Sequence, residues 1–376
     1  MSLPARAVLT ALALAALGCA SGFEAEFHGQ ASGWLALSRG TRCQTWTGLR
    51  YIPRVSMTMP RNVDAEFSAN AFASAKAGAP DSLDYDARVR PYRLWARFST
   101  SRFEARTGLQ KINFGSATLL RPLQWFDRVD PRDPLALTDG VYALLGRYYF
   151  QNNVNLWAWG LLGNSSPKGW EVYGSERWVP EPGARVQIPV PRGEVGISGH
   201  HRTASVVWVE TPTLPPDTSP AAETRVGLDG KWDVGVGLWF EGMVGKISSN
   251  HVPYSWQRAA TVGMDYTFGL GPGLAATAEH MVVEGASELC VRGTDAHFSA
   301  LMLGLPLGLL DNLRGIAYYD WFHGGVYRFL EWQRTLDKWV FSVSVFWNPD
   351  SVAAAGGVPA AGIAGMGVRI DVVFSH

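Results

Sequence analysis

The chain has 376 residues, 33 Lys and Arg against 33 Asp and Glu, and 18% charged residues, where a soluble domain carries about 25%. Balanced charge excludes a broad electrostatic pull toward nucleic acid or acidic partners. Gly 41, Trp 16 and Tyr 12 are high counts, and mean hydropathy is close to neutral, so the apolar residues are dispersed rather than clumped.

In chain order, the first element is a targeting segment. Arg6 gives a positive flank, Ala7 to Leu17 is an apolar run too short to span a bilayer, and small residues follow in Gly-Cys-Ala-Ser-Gly; a signal peptide over 1–22 is expected. Lipoprotein processing at Cys19 is the alternative, although Ala16-Leu17-Gly18 departs from the usual pattern before such a cysteine. No later apolar run reaches about 18 residues, so no transmembrane helix is expected. Cys43 and Cys290 both sit beside polar loop residues; in an oxidising compartment they either form a disulfide or stay as two free thiols.

From there on the pattern has period two. Phe67, Ala69, Ala71, Ala73 and Ala75 interleave with Glu66, Ser68, Asn70, Ser74 and Lys76; Val368, Ile370, Val372 and Phe374 interleave with Arg369 and Asp371. Such segments are strands with one apolar and one polar face. Eighteen are expected, beginning near Glu26, Trp46, Val63, Asp86, Arg102, Val141, Asn153, Ala184, Glu194, Thr224, Val234, Gln257, Leu274, Phe298, Asn312, Val326, Lys338 and Met366. The count falls to sixteen if the weak pair at Val326 and Lys338 is misread. Connections after even-numbered strands are short, such as Pro-Arg-Asn at Pro60 and Gln-Asn-Asn at Gln151; those after odd-numbered strands are mostly long, as in 112–140, 163–183, 203–223 and 348–365.

Tight turns on one rim and long loops on the other describe an all-β, transmembrane antiparallel barrel. The polar faces hold many arginines and carboxylates. An apolar core would charge several kcal/mol for each unpaired ion, on the order of what a water-filled lumen removes. Aromatics near strand ends (Trp46, Tyr148, Tyr149, Trp232, Trp347) fit the membrane boundaries. In this architecture the chain resembles the porins of the Gram-negative outer membrane. Arg106-Thr-Gly-Leu-Gln110-Lys-Ile-Asn-Phe114-Gly115 is also similar, over ten residues, to the alginate-export and related porin-like families, where such a strand leads into an inward loop. The last strand resembles the signal read by the barrel-assembly machinery, except that Ser375 and His376 follow Phe374. The resemblance implies a bacterial outer-membrane location. It also implies contact with outer-membrane lipid and lipopolysaccharide, and passage of a small hydrophilic solute.

It implies further that the third outer loop, 112–140, folds inward and narrows the lumen. The residues fit. Some 28 residues without periodicity are long for a connector. Pro122, Pro131 and Pro134 stiffen the path; Leu119, Leu120, Trp125 and Phe126 want a wall to pack on; Asp127, Asp130, Asp133 and Asp139 want basic partners. An arginine stripe is the expected partner: Arg50 and Arg54, Arg88 and Arg90, Arg93 and Arg97 after a bulge at Pro91-Tyr92, then Arg102 and Arg106. Some of these arginines are expected to clamp the loop through its carboxylates. The rest face the channel and bias it toward anionic or carbohydrate-like solutes.

Catalytic sets are weak. Ser198 and His200 lie two apart on one strand face, about 7 Å by strand rise, too far for a nucleophile–base pair; His200 is expected to be solvated in the lumen. His251, His280, His297 and His323 have no metal-ligand spacing, and no glycine loop precedes a helix. No enzyme activity, cofactor or metal is expected. Trp157 and Trp159 are read as packing against the inward loop, an aromatic slide for sugars being the alternative. The expected function is a porin-like channel; the alternative is a closed or accessory barrel serving export or assembly of a polymer.

Overall fold

The computed structural model describes residues 24–40, 43–78, 82–133, 135–209, 216–349 and 365–376. The expected signal segment, Cys19, Pro134 and most of the last long connection lie outside them. The elements are β1 (Glu24–Arg39), β2 (Cys43–Met59), β3 (Val63–Gly78), β4 (Ser82–Ser99), β5 (Phe103–Gln110), β6 (Val141–Tyr149), β7 (Asn155–Leu161), β8 (Gly174–Ser175), β9 (Glu181–Val190) and β10 (Gly193–Trp208). They continue with β11 (Asp217–Asp233), β12 (Gly237–Ser248), β13 (Trp256–Phe268), β14 (Leu274–Ala286), β15 (Thr294–Pro306), β16 (Asp311–Asp320), β17 (Gly325–Thr335), β18 (Trp339–Trp347) and β19 (Met366–Ser375). Each long strand pairs antiparallel with its neighbours in sequence, and β1 pairs with both β2 and β19. The sheet therefore closes on itself and has no free edge. Two-residue β8 only extends the pairing of β10. That leaves eighteen spanning strands, the expected number, with the doubtful pair β17 and β18 among them.

Alternation sets the two faces. Along β1, Ser32, Trp34, Ala36 and Ser38 are buried inside the barrel, while Leu35 and Leu37 between them are exposed outside. Leu49, Val89, Leu144, Ile197, Val226, Val262, Leu301 and Ile370 continue an exposed apolar belt around the wall. Tyr148, Trp232 and Trp347 face outward near strand ends, but Trp46 does not. It turns inward onto Trp34, with ring centroids 5.7 Å apart.

Local chemistry explains the register. In the turn between β2 and β3, Arg61 and Asn62 both have φ near +60°, the geometry of a tight hairpin whose twist matches the strands. In β4, Ser68 pairs with Arg93 but Ala69 pairs with Pro91, so Tyr92 is the extra residue. Proline has no N–H for the ladder and is at home at such a bulge. The shift keeps Arg88 and Arg90, then Arg93 and Arg97, on one face. Arg102 sits in the exposed turn before β5 rather than on the strand. At the seam, the residues past Phe374 stay in the sheet: Gly29 and His376 exchange both backbone hydrogen bonds at 2.9 Å. Cys43 and Cys290 are free and exposed, so the disulfide does not form.

Candidate functional site

The inward segment begins where β5 ends. Gln110 is fully buried, and its amide donates to the carbonyls of Arg106 (3.1 Å) and Ala143 (2.9 Å). The chain then leaves the wall and crosses the interior. Ile112, Phe114, Leu123, Trp125 and Phe126 form one apolar cluster with Val141, Leu145, Trp159, Leu161 and Met243 of the wall. Leu119 and Leu120 join a second, on the β14–β16 side, with Met281, Phe298, Ile316 and Tyr318. An interior expected to be wet is therefore dry along this crossing, because the segment brings its own apolar side chains. Trp125 is buried in the first cluster, as the body of the obstruction rather than the lining of a path.

A segment outside regular pairing carries backbone N–H groups that need acceptors. Two wall carboxylates supply them. Glu241 accepts from Ala117 (2.7 Å) and Leu123 (3.0 Å). Glu279 accepts from Thr118 (2.6 Å), Leu119 (2.9 Å) and Leu120 (2.5 Å), and from the Trp239 indole at 3.0 Å. Asp229 accepts from the Ser116 hydroxyl at 3.2 Å. At Gly115, φ is +103°, and a Cβ would lie 2.2 Å from Glu241 Oε1, so a glycine is required there.

This reverses the expected clamp. The loop aspartates do not, as a set, meet the arginine stripe. Asp127 accepts from Asn113 (3.0 Å) and Arg121 (3.2 Å) of its own segment. Asp130 pairs with Arg132 at 2.9 Å, and Asp133 accepts from the backbone of Leu135 and Leu137. Asp139 makes an ion pair with the stripe, at 3.6 Å from Arg90, and Asp133 lies near enough to Arg50 for their charges to attract. Partners within the same segment, two to fourteen residues away, satisfy these carboxylates at less cost in chain ordering than distant ones. Lys111, at the root of the segment, is held below its usual pKa by burial, with Asp127 opposing the shift.

A second segment, 162–180, packs onto the first. Trp170 Nε1 donates to the Arg121 carbonyl at 2.6 Å, and Arg128 Nε donates to the Gly169 carbonyl at 2.7 Å. Beneath it lies a closed charge network. Glu171 meets Lys168 (3.2 Å), Arg202 (3.1 Å) and Arg225 (3.3 Å); Glu223 meets Arg202 (2.5 Å) and Arg225 (2.6 Å). Arg185 pairs with Asp229 at 2.5 Å and donates to Ser198 Oγ at 3.0 Å. Ser198 is thus occupied by an arginine, and His200 is dry. The imidazole stacks edge-on against Phe126 (4.9 Å) and sits 3.4 Å from Glu181. The solvated histidine expected from the sequence is instead part of the plug. Trp159 belongs to the cluster formed with the inward segment and Trp157 packs against that cluster, as expected, with the Arg147 guanidinium 3.9 Å over the Trp157 ring. Among the described residues no group of His, Cys, Asp and Glu is arranged to hold a metal.

The arginine face is different. The side chains of Arg54, Arg88 and Arg90 are 50%, 53% and 50% exposed, against 3% for Arg185 and 2% for Arg202 across the barrel. Arg50 rests over the rings of Trp34 and Phe72. Arg97 pairs with Asp64 at 2.8 Å and Arg106 with Glu104 at 3.0 Å. Arg93 is an anchor: buried, it donates to the Thr138 carbonyl at 2.9 Å and ties down the end of the inward segment. Asp130 and Asp133 edge a small cavity of 80 Å³ against Tyr318, Phe329, Arg369 and Asp371.

No family model matches the chain, and no curated protein matches it in sequence. Solved structures do match in fold. OccK7 (OpdD) of Pseudomonas aeruginosa aligns with a TM-score of 0.55 at 11% identity, over 95% of this chain and 99% of that one. OccAB1 of Acinetobacter baumannii gives 0.55 at 10%, over 95% and 98%. Wzi of Escherichia coli, an outer membrane protein involved in group 1 capsule assembly and a carbohydrate-binding β-barrel, gives 0.55 at 10%, over 98% and 87%.

The fold is that of an outer-membrane β-barrel.

Within this outer-membrane barrel, sequence reasoning placed the inward segment and the stripe but missed what holds the segment. Glu241 and Glu279 are strand residues 124 and 160 positions from the backbone they bind. In the sequence they look like any inward carboxylate of an alternating strand. The network under 162–180 was likewise hidden, although its members recur at alternate positions of β9–β11. That spacing is the one signal that pointed to them.

Proposed function

We propose that this barrel is a passive channel for small hydrophilic solutes, narrowed by segment 112–140 to an off-centre path along the arginine face and biased toward anions. The observation that supports it most is the asymmetry of the interior: packed segments on the β6–β16 side, half-exposed arginines on β2 and β4 opposite. On this reading Arg50, Arg54, Arg88 and Arg90 line the path, with Arg97 and Arg106 half-neutralised behind them. Arg93, Trp125 and Asp127 hold the obstruction in shape, while Asp130 and Asp133 form its edge. Arg54, Arg88 and Arg90 each have one carboxylate neighbour, Glu66, Asp86 and Asp139, but their guanidinium groups stay half-exposed, and exposed guanidinium groups favour anions over cations in a narrow passage. Such a filter works by size and charge and needs no catalytic residue or cofactor. The exposed belt is proposed to meet outer-membrane lipid and lipopolysaccharide, with the barrel-assembly machinery engaging β19.

The reading is tested by reversal potentials in planar bilayers. Replacing Arg54 and Arg90 together by Ser is expected to move ion preference toward cations; an unchanged potential removes these arginines from the path. A second reading, a closed or accessory barrel for export or assembly of a polymer, is favoured by the two stacked inward segments and by the fold shared with Wzi. A sealed trace from the intact protein supports that second reading.

A further inference from the structure

Above the plug, on the side of the long connections, is a cavity of 420 Å³, within the usual size of a ligand pocket. We propose that it is a binding site for a neutral carbohydrate segment, built by Trp170, Tyr173, Tyr254, Ser255, Gln257 and Phe322. The site stands independently of whether the barrel conducts.

Three features point to this chemistry. First, aromatic faces are present and two are fixed in place. The Trp170 indole is tied to the Arg121 carbonyl. The Tyr254 hydroxyl donates to Thr294 Oγ1 at 2.9 Å, and its ring lies over Gly285, where a Cβ would come within 2.6 Å. Phe322 is largely exposed beside them. Rigid aromatic faces suit the C–H faces of a pyranose ring, since they bury area with little loss of side-chain freedom.

Second, the charges on the lining are already matched. Glu171, Arg202, Glu223 and Arg225 pair among themselves; Glu284 pairs with Arg258 at 2.7 Å, Asp295 with Arg292 at 3.5 Å, and His323 with Asp320 at 2.7 Å. An ionic ligand finds no free counter-charge there and would have to break a pair to gain one.

Third, neutral polar groups stand without partners. Among the described residues, the side chains of Tyr173, Ser255 and Gln257 make no hydrogen bond, and none of the three is fully buried. Two hydroxyls and an amide can each donate and accept, as the hydroxyl groups of a sugar require. The same cavity with unmatched charges would have called for an ionic ligand.

The test is calorimetric titration of the full-length protein in a detergent without a sugar headgroup. The probes are neutral gluco- and manno-oligosaccharides of several linkages, and an oligogalacturonate of equal length. At least one neutral oligosaccharide is expected to bind, and the acidic one at least about tenfold more weakly. Gln257→Leu and Tyr254→Ala are each expected to weaken binding about five- to tenfold, the effect of one hydrogen bond or one stacked ring. Tyr254→Phe, which keeps the ring, retains most of the affinity. Single-channel conductance of each variant, unchanged from the parent, shows that the barrel is intact. Absence of heat with every neutral oligosaccharide, tighter binding of the acidic one, or variants that bind like the parent overturns the proposal. A parent protein that conducts but binds no neutral oligosaccharide sinks the site alone, and a parent that binds but gives a sealed trace sinks the channel alone.

Discussion

At Glu279 one carboxylate receives three successive backbone N–H groups, from Thr118, Leu119 and Leu120, together with the Trp239 indole. Glu279→Gln keeps the shape but turns an amide NH₂ toward donors. Hydrogen bonds to charged acceptors contribute about 1.5–3 kcal/mol each, and a buried donor left unpaired costs about as much. The variant is therefore expected to lose about 2–3 kcal/mol, read as a lower heat-unfolding midpoint, and to show noisier conductance; a parental midpoint contradicts the clamp. Gly115 offers a sharper contrast. Gly115→Ala meets both a left-handed backbone and Glu241 Oε1, and is expected to cost about 1–3 kcal/mol. Gly160→Ala, where a Cβ meets nothing within 4 Å, is expected to be neutral. Equal effects from the two would mean that the fit around Gly115 is irrelevant.

At the scale of elements, the strands and their faces were legible because period-two patterning and turn chemistry are local. Pro91 announced the bulge that keeps Arg93 and Arg97 in line with Arg88 and Arg90, and β4 has it at Tyr92. The inward segment was legible from its length, its prolines and its apolar residues. Its fastening was not, because a donor excess belongs to backbone leaving a sheet and has no residue letter, while Glu241 and Glu279 come from distant strands. Aspartates at 127 and 130 pointed to the wrong partner, since residues of the same segment reach them first. The packing of 162–180 over this segment also escaped the sequence, and it makes a prediction. Trp170→Ala removes the ring that joins the two segments and is expected to expose Lys168, now buried with Glu171 and Glu181. Trypsin added outside intact cells should then cut the variant at Lys168 and spare the parent. Equal resistance would mean that 162–180 holds without that contact.

At the scale of the molecule, one arrangement accounts for the distribution of polarity. Oily side chains surround the barrel, its sheet has no edge, and its interior is divided between a packed side and an arginine side that water reaches. Closure and belt follow from eighteen alternating strands. The division does not, because it depends on where two irregular segments come to rest. On the proposed reading, ions pass on the arginine side at a rate set by the packed side. The most direct test is single-channel recording of the parent and of a variant lacking residues 119–133. Small open steps in the parent and clearly larger ones in the deletion are expected. A parent and a deletion variant that are both sealed, or that conduct alike, would contradict the account.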